Sequence, residues 1–206
     1  LAPSQEPLDG PPPPALDVRM MNGEWRADVL NVTSALPADA PFALRVEGLP
    51  GGTNPDYLAV HEVLHVATRP FRAVAAARPL AKREGQDWRV TVPSGMTRQV
   101  WLSFHPRNLG AGTHQGSVTL VGAAGEKLTV PLRLRIESLR FPDATTLHLG
   151  GWDYTNSERV YGVSPANRAA FVACLREHHV NLPWASRGAM PDGQYDAEGN
   201  LVEKPD

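Results

Sequence analysis

The chain has a single cysteine, Cys174, which excludes an intramolecular disulfide. Its formal net charge is only −2, so it lacks the basic footprint of a nucleic-acid-binding protein. No apolar run approaches the ~18 residues needed to cross a bilayer. A phosphate-cradling loop is missing too: Gly150-Gly151 does not lead directly into a helix and has no third glycine, so a nucleotide site is unsupported. Leu1-Ala2-Pro3 has neither the basic start nor the long apolar core of a signal peptide, and a leucine start suggests a processed or trimmed end. No cofactor, nucleic-acid or membrane partner is therefore expected.

What is present is a soluble-type balance, 42% apolar and 20% charged residues, together with 20 prolines, about double the usual share. Residues 1–15 hold Pro3, Pro7 and Pro11 to Pro14 and little to bury, the pattern of an extended leader or linker. From residue 16 to 141 short alternating runs are separated by turn residues. Trp25–Val32 places Trp25, Ala27, Val29 and Asn31 on one face, and Phe42–Val46 alternates Phe42, Leu44 and Val46. Tyr57–Ala67, Trp88–Val92, Val100–Phe104, Gly116–Val121 and Lys127–Ile136 read as further strands, the last two joined through Ala123-Ala124-Gly125-Glu126. Pro131 on the polar face of the last strand fits an edge position or a bulge. Val74–Lys82 is compatible with a broken helical turn or a crossing loop. About seven strands with turns every 8–12 residues predict an Ig-like β-sandwich.

The grammar changes at Pro142. A strand over Thr145–Leu149, a loop containing Gly150-Gly151-Trp152-Asp153-Tyr154, a helix over Pro165–His178 and a strand over Val180–Ala185 make one β-α-β unit. Ser164 can cap the helix and Pro165 suits its first position. Cys174 falls on the face of Phe171, Leu175 and His178, which predicts a buried structural thiol. Gln194–Val202 reads as a hairpin turning at Ala197-Glu198-Gly199-Asn200. The fold class expected is mainly β, a sandwich followed by an incomplete β/α barrel over residues 142–206, since a whole barrel needs ~250 residues. Trp152, Asp153, Tyr154, Trp184, Ser186 and Arg187 would then lie at the C-terminal ends of barrel strands, the face that carries active sites. There the aromatics could stack on a sugar ring, and Asp153 and Arg187 could bond hydroxyls. Equally, Trp152 and Trp184 could pack between barrel and sandwich.

His61-Glu62-Val63-Leu64-His65 is the sharpest local motif. On a helix the two histidines would share a face and bind Zn²⁺, with the glutamate activating water, as in a metallopeptidase. The valines around it favour a strand, where the histidines would lie ~13 Å apart, and no third ligand follows. Two solvent-side histidines on a sandwich strand, with no metal, is the expectation. Asn31-Val32-Thr33 matches a glycosylation acceptor.

Val100-Trp101-Leu102-Ser103-Phe104 followed by Leu109-Gly110-Ala111-Gly112-Thr113-His114-Gln115-Gly116-Ser117-Val118-Thr119-Leu120 resembles a passage in the N-terminal sandwich of family 123 glycoside hydrolases and their bacterial relatives. In that family an apolar strand precedes Pro-Gly-x-Tyr-x-Gly and another strand; Ala111 and His114 stand here where the family often has Pro and Tyr. Leu147-His148-Leu149-Gly150-Gly151-Trp152-Asp153-Tyr154 resembles the start of the family's barrel. The resemblance spans roughly residues 57–206. It implies a secreted or periplasmic bacterial enzyme acting on N-acetylhexosaminides, with an Asp-Glu pair that assists attack by the substrate's own acetamide. No such pair stands on a barrel strand here. The chain is thus expected to be the inactive N-terminal fragment of a glycoside hydrolase. A non-catalytic carbohydrate-binding or spacer module is the alternative. The rest of a barrel, or a partner chain, would cover its exposed edge.

Overall fold

The computed structural model describes residues 15–69, 72–80, 87–150, 162–184 and 193–203. Chain contacts divide it into two compact units, Leu1–Phe141 and Pro142–Asp206.

The described residues of the first unit form a β-sandwich of nine strands: β1 (Leu16–Asn22), β2 (Arg26–Thr33), β3 (Ala40–Glu47), β4 (Leu58–Arg69), β5 (Arg72–Pro79), β6 (Trp88–Val92), β7 (Thr97–Phe104), β8 (Gly112–Gly122) and β9 (Lys127–Arg140). One sheet has the order β1-β9-β8-β3-β6 and the other β2-β7-β4-β5. Every ladder in the two sheets is antiparallel except β1 with β9, which runs parallel. The core follows from period-two alternation. Val18 and Met20, Leu44 and Val46, Trp88, Val90 and Val92, Val118 and Leu120, and Val130 through Ile136 at every second residue point inward from the first sheet. Leu30, Val32, Leu58, Val60, Val100, Leu102 and Phe104 meet them from the second. Each fully buried side chain of this size contributes roughly 1.5–3 kcal/mol relative to exposure.

Several expectations need correcting. On β2 the buried residues are Leu30 and Val32, so the face of Ala27, Val29 and Asn31 points outward, opposite to its apolar appearance. Residues 72–79 form the strand β5, neither a helical turn nor a loop. Pro131 lies in β9, which has neighbours on both sides; its pairing with β1 begins only at Leu16↔Leu132, so at Pro131 that side is locally an edge. Beyond the end of β6, Asn54 takes over the pairing of β3: its N–H donates to Val46 O at 2.8 Å and its Oδ1 accepts from Val46 N at 2.7 Å.

In the second unit the described residues form a helix, α1 (Arg168–Glu177), and a hairpin of β10 (Gln194–Tyr195) with β11 (Leu201–Glu203). Asp196 closes that hairpin by accepting N–H bonds from Glu198 and Asn200. The helix begins three residues later than expected. Asn167, not Ser164, is its N-cap, and the Asn167 side chain accepts the Ser164 N–H at 2.6 Å. No residue of α1 is buried, so Cys174 is an exposed thiol and not a core one. Residues 145–149 and 180–184 form no strand ladder, and the barrel segment expected from them is not seen. They are joined instead through one side chain. Asn181 Nδ2 donates to Leu147 O at 2.9 Å, and its Oδ1 accepts from Leu149 N at 2.8 Å. The N–H groups of Asn181 and Leu182 both donate to Leu149 O. No helix among the described residues is long and apolar enough to cross a membrane.

Candidate functional site

Of the residues expected at a barrel mouth, Trp152, Asp153, Tyr154, Ser186 and Arg187 lie outside the described residues. Trp184 is described. It is 49% exposed, three residues past Asn181, in a segment held by side-chain bonds and not by a sheet. Its indole is thus presented on an irregular stretch of the second unit.

His61-Glu62-Val63-Leu64-His65 lies within β4, as the strand reading required. Alternation sends His61 and His65 to the outward face and Glu62 inward, so the three cannot converge on one ion. Among the described residues no three or more His, Cys, Asp or Glu side chains gather as a metal site would require. Glu62 is instead a buried carboxylate, 4% exposed, that accepts from Arg78 Nε of the neighbouring β5 at 2.8 Å. Arg98 Nε of β7 stands 3.7 Å from its other oxygen, and Arg98 also donates to Val63 O at 3.0 Å. Two guanidiniums around one buried carboxylate satisfy a charge that would otherwise be costly.

The outward surfaces of the two sheets differ in kind. The first presents Asp17 and Arg19 on β1, Arg45 and Glu47 on β3, Arg89 on β6, and Arg133, Arg135 and Glu137 on β9. Most of these are paired: Arg133 donates to Asp17 through Nε and Nη2, Arg135 reaches Glu137 at 3.0 Å, and Arg45 holds Asp87 through two bonds of 2.9 Å. Arginine hydrogen bonds hold the carboxyls of Asp17, Asp87 and Glu137 below their ordinary range. The cleft of about 330 Å³ between Arg19, Thr113, Gln115 and Arg135 belongs to this paired lattice.

The outward surface of the second sheet carries no formal charge over its described central positions. It presents Ala27, Val29, Asn31 and Thr33 on β2; Thr97, Gln99, Trp101 and Ser103 on β7; Ala59, His61 and His65 on β4, with Val63 between the histidines buried; and Ala75, Ala77 and Pro79 on β5. Register places Val29, Trp101 and His61 in one row across three strands. Trp101 is 39% exposed and Val29 38%. The Trp101 indole N–H donates to Gln99 Oε1 at 2.8 Å, and Gln99 Nε2 donates to Asn31 Oδ1 at 3.1 Å. In the same row as Trp101, His61 has a buried Nδ1 without a hydrogen-bond partner, and burial pushes its pKa down, so the ring is neutral above its ordinary 6.5. The sequence marks Asn31 as a glycosylation acceptor and as a member of the Trp25, Ala27 and Val29 face, and Trp101 only within the Val100–Phe104 strand; it assigns neither Trp101 nor Gln99 a site role. The available signal was a tryptophan at the outward phase of an alternating strand.

A comparison with protein-family models finds no match, and a comparison with curated proteins finds none either. Among solved structures, the chain is similar to a family 123 glycoside hydrolase from Clostridium perfringens that hydrolyses glycolipid glycans, with a TM-score of 0.51 and 12% identity over 81% of this chain and 32% of that one. The chain therefore spans about a third of that enzyme's length. It is also similar, at a TM-score of 0.34 and 14% identity, to a PapD-like domain of human CEP192, over 69% of this chain and 99% of that one. A chaperone–tip adhesion subunit complex from Acinetobacter baumannii matches at a TM-score of 0.32 and 9% identity, over 63% of this chain and 53% of that one.

Proposed function

We propose that this chain is the front part of a secreted or periplasmic glycoside hydrolase of the hexosaminidase type. In this reading the sandwich is its scaffold, and the segment after Pro142 supplies part of a sugar site. The observation that carries this reading is the extent of the likeness to the family 123 enzyme. It takes in 81% of a 206-residue chain, more than the first unit alone contains, so it reaches past Phe141. The exposed apolar side chains of the second unit, among them Leu147, Leu182, Trp184 and Val202, fit a segment that packs against further structure. Trp152, Asp153, Tyr154, Trp184 and Arg187 are the residues assigned to substrate: aromatics to stack on the ring, Asp153 and Arg187 to bond its hydroxyls. The acid and the acetamide-orienting carboxylate belong to a part of the enzyme outside this chain. This part of the enzyme is therefore inactive by itself.

The test compares the longest natural polypeptide containing this sequence with the chain itself, on nitrophenyl N-acetyl-β-galactosaminide and N-acetyl-β-glucosaminide. Nitrophenol release by the longer form and not by the chain supports the reading. Failure of the longer form to cleave either glycoside overturns it.

A further inference from the structure

The outward face of the β2-β7-β4-β5 sheet is an unexpected surface for a sandwich whose other face is laced with ion pairs. Outward strand positions facing water are ordinarily polar, with charged side chains among them as on the first sheet. Here the central rows of four strands carry no Asp, Glu, Lys or Arg, and their polar groups are amides, hydroxyls and imidazoles. We propose that this face, centred on Trp101 with Gln99 and Asn31 beside it, is a binding platform for a neutral oligosaccharide chain.

Three observations favour this occupant. First, the absence of formal charge matches a ligand without charge, and a charged ligand would find no counter-ion here. Second, Trp101 is held in place: its N–H is committed to Gln99, which is tied in turn to Asn31, so the indole is ordered before a ligand arrives. An ordered indole offers a flat apolar surface to the C–H face of a pyranose. The remaining amide hydrogens and lone pairs of Gln99 and Asn31, and the exposed His65, meet hydroxyls at its rim. Third, the apolar residues around Trp101 are small. Apart from Val29 in the same row, the neighbouring apolar residues Ala27 and Ala59 give little area to bury, whereas a stable protein interface needs roughly 800 Å² per partner with several anchors. One aromatic flanked by amides suits a sugar ring better than a protein surface. The proposal does not depend on the hydrolase reading, because binding here needs no catalytic carboxylate and no residue of the second unit.

The experiment is native affinity electrophoresis of the whole chain in gels containing soluble neutral polysaccharides (mixed-linkage β-glucan, xyloglucan, galactomannan and glycol chitin), with anionic polygalacturonate as control. The expected result is retardation in at least one neutral gel. Trp101→Ala should weaken it by about tenfold, equivalent to about 1.4 kcal/mol. Trp101→Phe should recover part of the binding, which separates loss of stacking from loss of fold, and Gln99→Ala should weaken binding less. Gln115→Ala, on the exposed outward face of the other sheet, should leave it unchanged, which separates this face from the opposite one. No retardation in any neutral gel overturns the proposal, as does retardation only by polygalacturonate or full binding by Trp101→Ala. Sedimentation of the chain as a dimer that Trp101→Ala dissociates would assign the face to a second copy and overturn it equally.

Discussion

Arg98 of β7 lies over the carboxylate of Glu62 on β4, 3.7 Å from Nε to Oε2, with Glu62 4% exposed and Arg98 17%. The pair joins two neighbouring strands where Glu62 follows Leu58 and Val60 on the inward side. Truncating Arg98 to methionine keeps its apolar stem but strands a buried charge, leaving only the largely exposed Arg78 beside it. The expected loss is about 3 kcal/mol, the lower end for breaking a buried pair because Arg78 remains. Adding Glu62→Gln to Arg98→Met should restore most of the loss. Urea midpoints of the two variants check this; an unchanged midpoint for Arg98→Met would mean the pair holds nothing.

A second prediction concerns Asn54, which is buried and has a positive φ of 52°. Its side chain takes the Val46 N–H where β6 has ended and also donates to Asp87 Oδ1 at 3.3 Å. Asn54→Ala removes the acceptor from a buried N–H and places an alanine in the left-handed region. Together these cost about 2–4 kcal/mol. Asn54→Gly keeps the backbone conformation and should lose less. Equal stability of the two variants would show that conformation contributes nothing at this position.

Stability should vary with pH in two windows. His61 has its pKa lowered by burial, so the unfolded chain takes up its proton first, at the ordinary value of 6.5. Stability therefore rises with pH through that region and falls on acidification below it. Asp87 is depressed mainly by its hydrogen bond from Arg45, and Asp17 by that from Arg133. Their contribution is present above the unfolded value of 3.8 and is lost as pH falls through the lower folded values. Denaturation midpoints between pH 8 and 2 should show both declines. His61→Gln should flatten the first and Asp87→Asn the second; a wild-type slope in either variant removes that residue as the cause.

The sandwich was readable because a half-buried sheet writes its burial into every second residue. Trp88–Val92 shows this most plainly, with both bounds as expected and Trp88, Val90 and Val92 all buried. The reading failed where that code is ambiguous. β5 is Arg-Ala-Val-Ala-Ala-Ala-Arg-Pro, and alanine supplies neither strand nor helix contrast, so only pairing with β4 decides its state. On β2 the apolar Ala27 and Val29 lie on the outward face, and Asp28 interrupts the inward one, which inverted the phase. Gly116 shows what a loose motif can encode: a Cβ there would lie 2.7 Å from Glu47 O and 2.9 Å from Leu49 Cγ, so glycine is needed for β3 to approach β8.

The candidate sites were less legible, for a different reason. A helix pattern such as Ala170, Phe171, Cys174 and Leu175 records that a face is apolar, not how fully it is covered, and in α1 no residue is buried, with Phe171 and Leu175 only half-buried. The glutamate of His61-Glu62-Val63-Leu64-His65 has the composition of a catalytic base, yet alternation turns it toward Arg98 and away from both histidines. Trp101 lies between the buried Val100 and Leu102, so its outward position follows from the alternation of that strand, but the alternation does not say what an outward tryptophan is for.

The last prediction concerns Asn181, whose side chain does the work that a strand ladder was expected to do. Its amide bridges Leu147 O and Leu149 N, while its own N–H donates to Leu149 O at 3.0 Å. Two short segments that cannot form a ladder alone are thereby held in a fixed register. Asn181→Ala removes these two bonds and the longer one from Nδ2 to Thr145 Oγ1 at 3.4 Å, and should cost the second unit about 1–2 kcal/mol. Asn181→Asp should be worse above the carboxylate's pKa, because an oxygen would then face the Leu147 carbonyl where an N–H now donates. Amide hydrogen exchange distinguishes this local effect from general unfolding. The Leu149 amide should exchange several-fold faster in both variants, while the Val46 amide in the sandwich keeps its wild-type rate. Unchanged exchange at Leu149 would mean that other contacts hold residues 147–149 against 181, and the bridging role assigned to Asn181 would be wrong.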